Sequence, residues 1–164
     1  MEEDVTEMPE FLETSENSEL SGFYEFFREM LKLKKVDVNS YSPLALAYIG
    51  DAVYEILVRT KVMNHGSTQV NNMHKKSSGL VNAGTQAEII RKLIEEEELT
   101  QEETAVYKRG RNAKSATTAK HAAVIDYRTA TGFEALCGWL YLNGDLKRLV
   151  TLVSKGLEKI GELK

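Results

Sequence analysis

Apolar residues recur at helical spacing along most of this chain, and in two stretches they run almost all the way round the helix they predict. The first, Ser42 to Arg59, reads SPLALAYIGDAVYEILVR, and the second, Thr129 to Asn143, reads TATGFEALCGWLYLN. Ser42 is a good N-cap and Pro43 suits the first helical position, so the start of the first helix is well marked. At about 100° per residue, Leu46, Ile49, Val53, Ile56 and Leu57 gather on one face. Asp51 falls on a second face with Leu44, Ala47, Tyr54 and Val58, while Glu55 and Arg59, four apart, mark a wet edge and are placed to pair. Asn143-Gly144 gives the second helix a natural stop.

The same periodicity predicts five further helices. An aromatic-rich one spans 19–34, with Phe23, Phe26, Phe27 and Leu31 expected to cover the core rather than to stack on bases. Others span 66–80 and 82–98, the latter ending in a glutamate run, Glu95 to Glu98, expected to be solvated. Thr100 with Glu103 makes a capping box that opens a helix to about Arg109. The last, over 145–160, has Leu146, Leu149, Leu152, Val153, Leu157 and Ile160 as its apolar face. With two prolines and few strand-like alternations, the fold class is all-α.

Each greasy stretch carries an acid. A buried carboxylate costs several kcal/mol unless it meets a cation, hydrogen bonds or a metal, so Asp51 and Glu134 need a reason. Gly50 gives up about 1 kcal/mol of helix stability just before the first acid and permits close backbone approach; Gly132 and Gly138 flank the second. Taken singly, Asp51 reads as a local cap or hydrogen-bond partner and Glu134 as the partner of a lysine. Two such helices in one small domain point instead to a shared divalent metal.

Length and charge narrow the class. At 164 residues the chain has room for one domain with a sizeable core. Residues 1–20 hold eight acids and no Lys or Arg, which leaves 17 acids against 21 bases and turns a net charge of −4 into +4 for the remainder. The expected division is therefore an acidic, disordered tail over 1–18 and a mildly basic domain over 19–164. The basic residues concentrate in YKRGRNAKSATTAKH, where Lys108, Arg109, Arg111, Lys114 and Lys120 alternate with small residues too loosely for a buried helix. Such a loop attracts backbone phosphates; Lys75 and Lys76 form a second, weaker patch. Cys137 is the only cysteine and excludes an intrachain disulfide, and His65, His74 and His121 are too scattered for a zinc site. No signal peptide or membrane span is visible, which makes the cytoplasm the expected compartment.

Leu46-Ala47-Tyr48-Ile49-Gly50-Asp51-Ala52-Val53-Tyr54-Glu55 resembles the signature helix of the ribonuclease III family. Phe133-Glu134-Ala135-Leu136-Cys137-Gly138-Trp139-Leu140-Tyr141-Leu142 is similar to that family's second acidic helix. His74 to Ser78, Gln86 to Glu88 and Lys108 to Ser115 resemble its short bacterial members, the mini-ribonuclease III class, and the likeness spans Leu44 to about Leu149. The resemblance implies a helical endonuclease domain that forms a homodimer, binds Mg²⁺ and cuts double-stranded RNA, with Asp51 and Glu134 as catalytic and metal-binding residues. It implies RNA contacts at Lys75, Lys76, Lys108, Arg109, Arg111, Lys114 and Lys120, and a substrate in the 23S ribosomal RNA precursor, with a ribosomal protein as accessory partner. Departures from the longer members are Leu44, Ala47 and Thr131, which stand where those carry acids, and the lack of room for a double-stranded-RNA-binding domain after the last helix. The alternative function is a non-catalytic RNA-binding module on the same scaffold. A helical phosphohydrolase acting on nucleotides would show paired His-Asp ligands, which this chain lacks. The acidic tail has a second reading, as a competitor of RNA for the basic surface.

Overall fold

The structure is a computed structural model that describes residues 22–66, 69–114 and 121–163. Residues 1–18 and Lys120 lie outside the described residues. The chain divides into two compact units, Met1–Val36 and Asp37–Lys164.

In the first unit the helix occupies residues 22–30, shorter than the expected 19–34. It closes through Lys32, whose φ of 52° is left-handed, with Leu33 N–H donating to Arg28 O and Lys32 N–H to Glu29 O. Phe23, Phe26, Phe27 and Leu31 are exposed. Periodicity tells which residues share a face, and says nothing about what that face meets.

The second unit contains, among the described residues, a short 3₁₀ turn, Val38–Ser40, and six α-helices: α1 Pro43–Asn64, α2 Val70–Val81, α3 Ala83–Glu95, α4 Gln101–Asn112, α5 His121–Leu142 and α6 Leu146–Lys159. Long apolar α5 is the centre, with α1, α4 and α3 packed around it and α6 resting mainly on α3. Tyr54, Phe133, Ile89, Ile90, Leu93, Leu136, Leu140 and Leu149 are fully buried. Tyr54 meets the Phe133 ring edge-on at 5.3 Å, and its hydroxyl donates to Leu80 O at 2.7 Å, tying α1 to both α5 and the end of α2.

Local signals in the sequence account for the boundaries. Ser42 accepts from Ala45 N–H at 3.1 Å with Pro43 in the first turn. Asn82 ends α2 and caps α3, accepting from Thr85 N–H while donating to Ser78 O and Gly79 O. Gly144, at φ 76°, closes α5, with Asp145 N–H donating to Leu140 O and Gly144 N–H to Tyr141 O.

Three expectations need correction. Helix α4 runs through Lys108, Arg109 and Arg111 to Asn112, so the first part of the expected basic loop is helical. Its buried stripe of Glu103, Val106, Tyr107 and Gly110 keeps helical spacing, and Gly110 serves there as a contact point rather than a breaker. The buried face of α1 is Leu46, Ala47, Gly50, Tyr54, Val58 and Val62, while Ile56 is 65% exposed; a helix apolar all round offers no polar face from which to orient it. The glutamate run is not simply solvated, because Glu98 pairs with Lys155 at 2.7 Å and Glu96 with Lys159.

Glu103 joins two elements through one carboxylate. It closes the expected capping box, accepting from Thr100 N–H at 2.9 Å, and also accepts two hydrogen bonds from Arg148 on α6, at 2.9 and 2.8 Å. Arg148 further donates to Glu98 O at 2.7 Å. Burial raises the Glu103 carboxyl, but the Arg148 and Thr100 hydrogen bonds outweigh it and hold the group below the usual carboxylate range. Glu103→Ala is expected to destabilise the unit by about 2–3 kcal/mol, less than a fully buried pair because the Arg148 side chain stays 33% exposed. Urea unfolding monitored by circular dichroism measures this; a loss indistinguishable from zero rejects it.

Candidate active site

Helices α1 and α5 meet backbone to backbone. A Cβ built on Gly50 would lie 1.7 Å from Glu134 O, and one built on Gly138 would lie 1.9 Å from Leu46 O. No side chain fits at either position, so the two glycines interlock the helices reciprocally, one turn apart along α5. Asp51 is the next residue after Gly50, and the carbonyl resting on Gly50 belongs to Glu134 itself. This backbone contact therefore brings the two sequence-predicted acids close enough for the Asp51 charge to act on Glu134.

Their electrostatics match that placement. Glu134 is half-buried, and burial, followed by the negative charge of Asp51, pushes its carboxyl up to about 8. Asp51 is more exposed and is also raised, by partial desolvation and then by Glu55. Glu55 is itself committed to Arg59, as expected, at 2.6 Å. Among the described residues neither Asp51 nor Glu134 makes an ion pair or a side-chain hydrogen bond, so neither the local cap nor the lysine partner is found.

An uncompensated pair of carboxylates fits a divalent cation. The donors are hard oxygens, which suits Mg²⁺ or Mn²⁺ rather than a thiophilic metal, and two protein ligands leave most of the shell to water and substrate. No third acid joins them: among the described residues no group of three or more His, Cys, Asp or Glu is placed to hold a metal. Thr131 turns its hydroxyl into its own helix, donating to Tyr127 O at 2.9 Å, and Ala47 is buried. Cys137, one turn beyond Glu134, is buried, and burial followed by the Glu134 charge pushes its thiol up, away from thiolate chemistry.

The predicted basic residues are dispersed over two helices. Lys108 and Arg109 are exposed in the last turn of α4, with Lys114 just past its end. The Arg111 guanidinium lies over the Tyr107 ring at 5.6 Å and donates to Asn112 at 3.2 Å. Lys75 and Lys76 are exposed on α2, where they line a surface cleft of about 520 Å³ with Lys61 of α1 and His65, which caps its end. Sequence reasoning missed Lys61 and His65 because it ended α1 at Arg59; their four-residue spacing is the signal that a longer helix would have exposed.

The raised carboxyl sets a stability profile. In the metal-free protein Glu134 keeps its proton up to about pH 8, whereas in the unfolded chain it releases it near 4.5. The native state thus binds more protons across that window, so this contribution is full below the unfolded value and is lost as pH rises through the folded one. The melting temperature of metal-free protein is expected to fall between about pH 5 and 9 with a slope that Glu134→Gln flattens. Parallel profiles for the two proteins reject the assignment.

Comparison with known proteins agrees with the geometry. A sequence profile described as the ribonuclease III domain matches residues 44–145. The chain is 45% identical over 126 residues to the Mini-ribonuclease 3 of Enterococcus faecalis, covering 77% of this chain and 96% of that protein. It is 43% identical over 125 residues to the Mini-ribonuclease 3 of Streptococcus pneumoniae, covering 76% and 98%. The X-ray crystal structure of a Fusobacterium nucleatum protein superposes with a TM-score of 0.65 at 29% identity, over 79% of this chain and 100% of that one. With its two acidic helices interlocked as found and its sequence matched over most of its length, this chain belongs to the ribonuclease III family, in the mini-ribonuclease III class.

Proposed function

We propose that this protein is a Mg²⁺-dependent endoribonuclease that cuts both strands of double-stranded RNA as a symmetric homodimer, in the cytoplasm. Its proposed substrate is the 23S ribosomal RNA precursor, with a ribosomal protein as accessory partner. The observation that carries the reading is the pair Asp51 and Glu134, fixed side by side by the Gly50 and Gly138 contacts and left without a cation among the described residues.

Asp51 and Glu134 would hold the ion, which when bound lowers the pKa of an attacking water and neutralises charge on the transferring phosphate. Glu134 must give up the proton that burial makes it keep, so occupancy of the site is coupled to proton release. Asp51, nearer solvent, lies at the open side of the pair, where a phosphodiester can reach it. Lys108, Arg109 and Arg111 on α4, Lys114 just past its end, and Lys75 and Lys76 on α2 supply positive charge to phosphates; Lys120 belongs to the same proposal from sequence alone. Duplex RNA suits such contacts because its narrow major groove hides the bases and leaves shape, phosphates and 2′-hydroxyls to recognise.

The dimer rests on apolar surface. Along α1, Tyr48 is 83%, Ile56 65% and Met63 65% exposed, with Leu44 on the same side of the helix as Tyr48. A two-fold contact buries such a patch twice. Each subunit then contributes one Asp51 and Glu134 pair, and each pair cuts one strand.

Asp51→Asn is expected to abolish cleavage of duplex RNA in Mg²⁺ while circular dichroism and RNA affinity stay as in the parent, since it removes a charge and almost no volume. Cleavage at the parental rate refutes the site; if the parent protein itself binds duplex RNA and never cuts it, the non-catalytic module is correct. Purified mixed dimers of one parental and one Asp51→Asn subunit are expected to nick a single strand. Double-strand cleavage by such dimers at the parental rate rules out one cut per subunit.

A further inference from the structure

The segment of α5 that carries Glu134 is gripped from two sides. Toward α1 the contacts are the glycine interlocks already described. Toward α4 the contact is different in kind. A Cβ on Gly132 would lie 2.7 Å from Cδ2 and Cε2 of the Tyr107 ring, and the Tyr107 carbonyl is equally close. A Cβ on Gly110 would lie 2.7 Å from the Ala135 Cβ and 2.9 Å from Gly132 Cα. Residues 132 and 135 flank Glu134, so α4 bears on α5 at the level of the carboxylate.

Of these contacts the aromatic ring is the only side chain of any size. Tyr107 is 4% exposed, and the Arg111 guanidinium covers its ring at 5.6 Å, within cation–π range. Among the described residues the Tyr107 hydroxyl makes no side-chain hydrogen bond, so the ring acts by its bulk. Arg111 thereby differs from Lys108 and Arg109 on the same turn, whose side chains stand exposed.

We propose that Tyr107, covered by Arg111, is a positioning residue for Glu134: the ring sets how closely α5 is pressed toward α1, and so where the Glu134 carboxylate stands beside Asp51. The proposal rests on the reading of that pair as metal ligands. Removing the ring opens space on the α4 side of Gly132, and α5 relaxes away from α1 by the slack gained. The pair then holds its cation less well, while the exposed cations that meet RNA are untouched.

The experiment measures Mn²⁺ binding to the full chain by electron paramagnetic resonance of the free ion, and binding to a duplex RNA without metal. Tyr107→Leu is expected to weaken Mn²⁺ binding by about tenfold, as loss of a group that orients a metal ligand does, with RNA affinity and its salt dependence unchanged. Tyr107→Phe, which keeps the ring, is expected to behave as the parent. Leu152→Ala on α6 is a control for stability alone, expected to lower the melting temperature with Mn²⁺ affinity intact. Should Tyr107→Leu fail to fold, Tyr107→Met, which also lacks the ring, takes its place, and it is expected to weaken Mn²⁺ binding and leave RNA affinity unchanged. Parental Mn²⁺ affinity in a folded Tyr107→Leu overturns the proposal. So does parental Mn²⁺ affinity in Tyr107→Met where that is the variant that folds. Asp51→Asn separates the two readings: if it binds Mn²⁺ like the parent, the metal site itself is misassigned, whereas loss in Asp51→Asn with parental binding in Tyr107→Leu removes the positioning role alone.

Discussion

Two helix backbones in direct contact organise this protein. With Gly50 seated on the Glu134 carbonyl and Gly138 on that of Leu46, α1 and α5 approach more closely than side-chain packing allows. Both helices then have to be apolar on several faces, since the same pair must also receive α2, α3, α4 and α6. The acids enter at this crossing because it is where two rigid elements leave the least room for error. A carboxylate placed on a loop would move with it, whereas each of these moves only through its own side-chain torsions.

The second constraint is electrostatic. Several charged groups in the second unit find partners: Glu55 with Arg59, Arg91 with Asp126, Glu103 with Arg148, and Glu98 with Lys155. Against that background a half-buried acid raised by burial and then by its neighbour stands apart, and groups of this kind are where a protein gives up stability for chemistry. Two acids rather than a larger acidic cluster also limit the negative charge gathered at the crossing.

Much of this was legible in the sequence, for reasons that can be named. Ser42, Pro43, Thr100 with Glu103, and Asn143-Gly144 are local devices whose effect depends on a few adjacent residues, and all act where the sequence predicts. Asp51 and Glu134 stood out because burial and charge conflict within a single helix. What sequence did not reveal is relational. The face of α1 that is buried is chosen by where α5 comes closest. The last turn of α4 is helical because Val106, Tyr107 and Gly110 are covered by α5, although the local pattern of small and basic residues argues for a loop. Lys61 and His65 meet Lys75 and Lys76 only because α2 folds back along α1.

A crossing made of backbone has a consequence for motion. Side chains in ordinary cores still hop between rotamers, and a separation that depends on them inherits those jumps. No rotamer lies between Gly50 and Glu134 O, or between Gly138 and Leu46 O. The spacing of the two helices at the carboxylates can change only by bending or separating whole helices, which is a slower and more cooperative event. The protein thus keeps time-averaged and instantaneous geometry nearly equal at the one place where its charges are least comfortable.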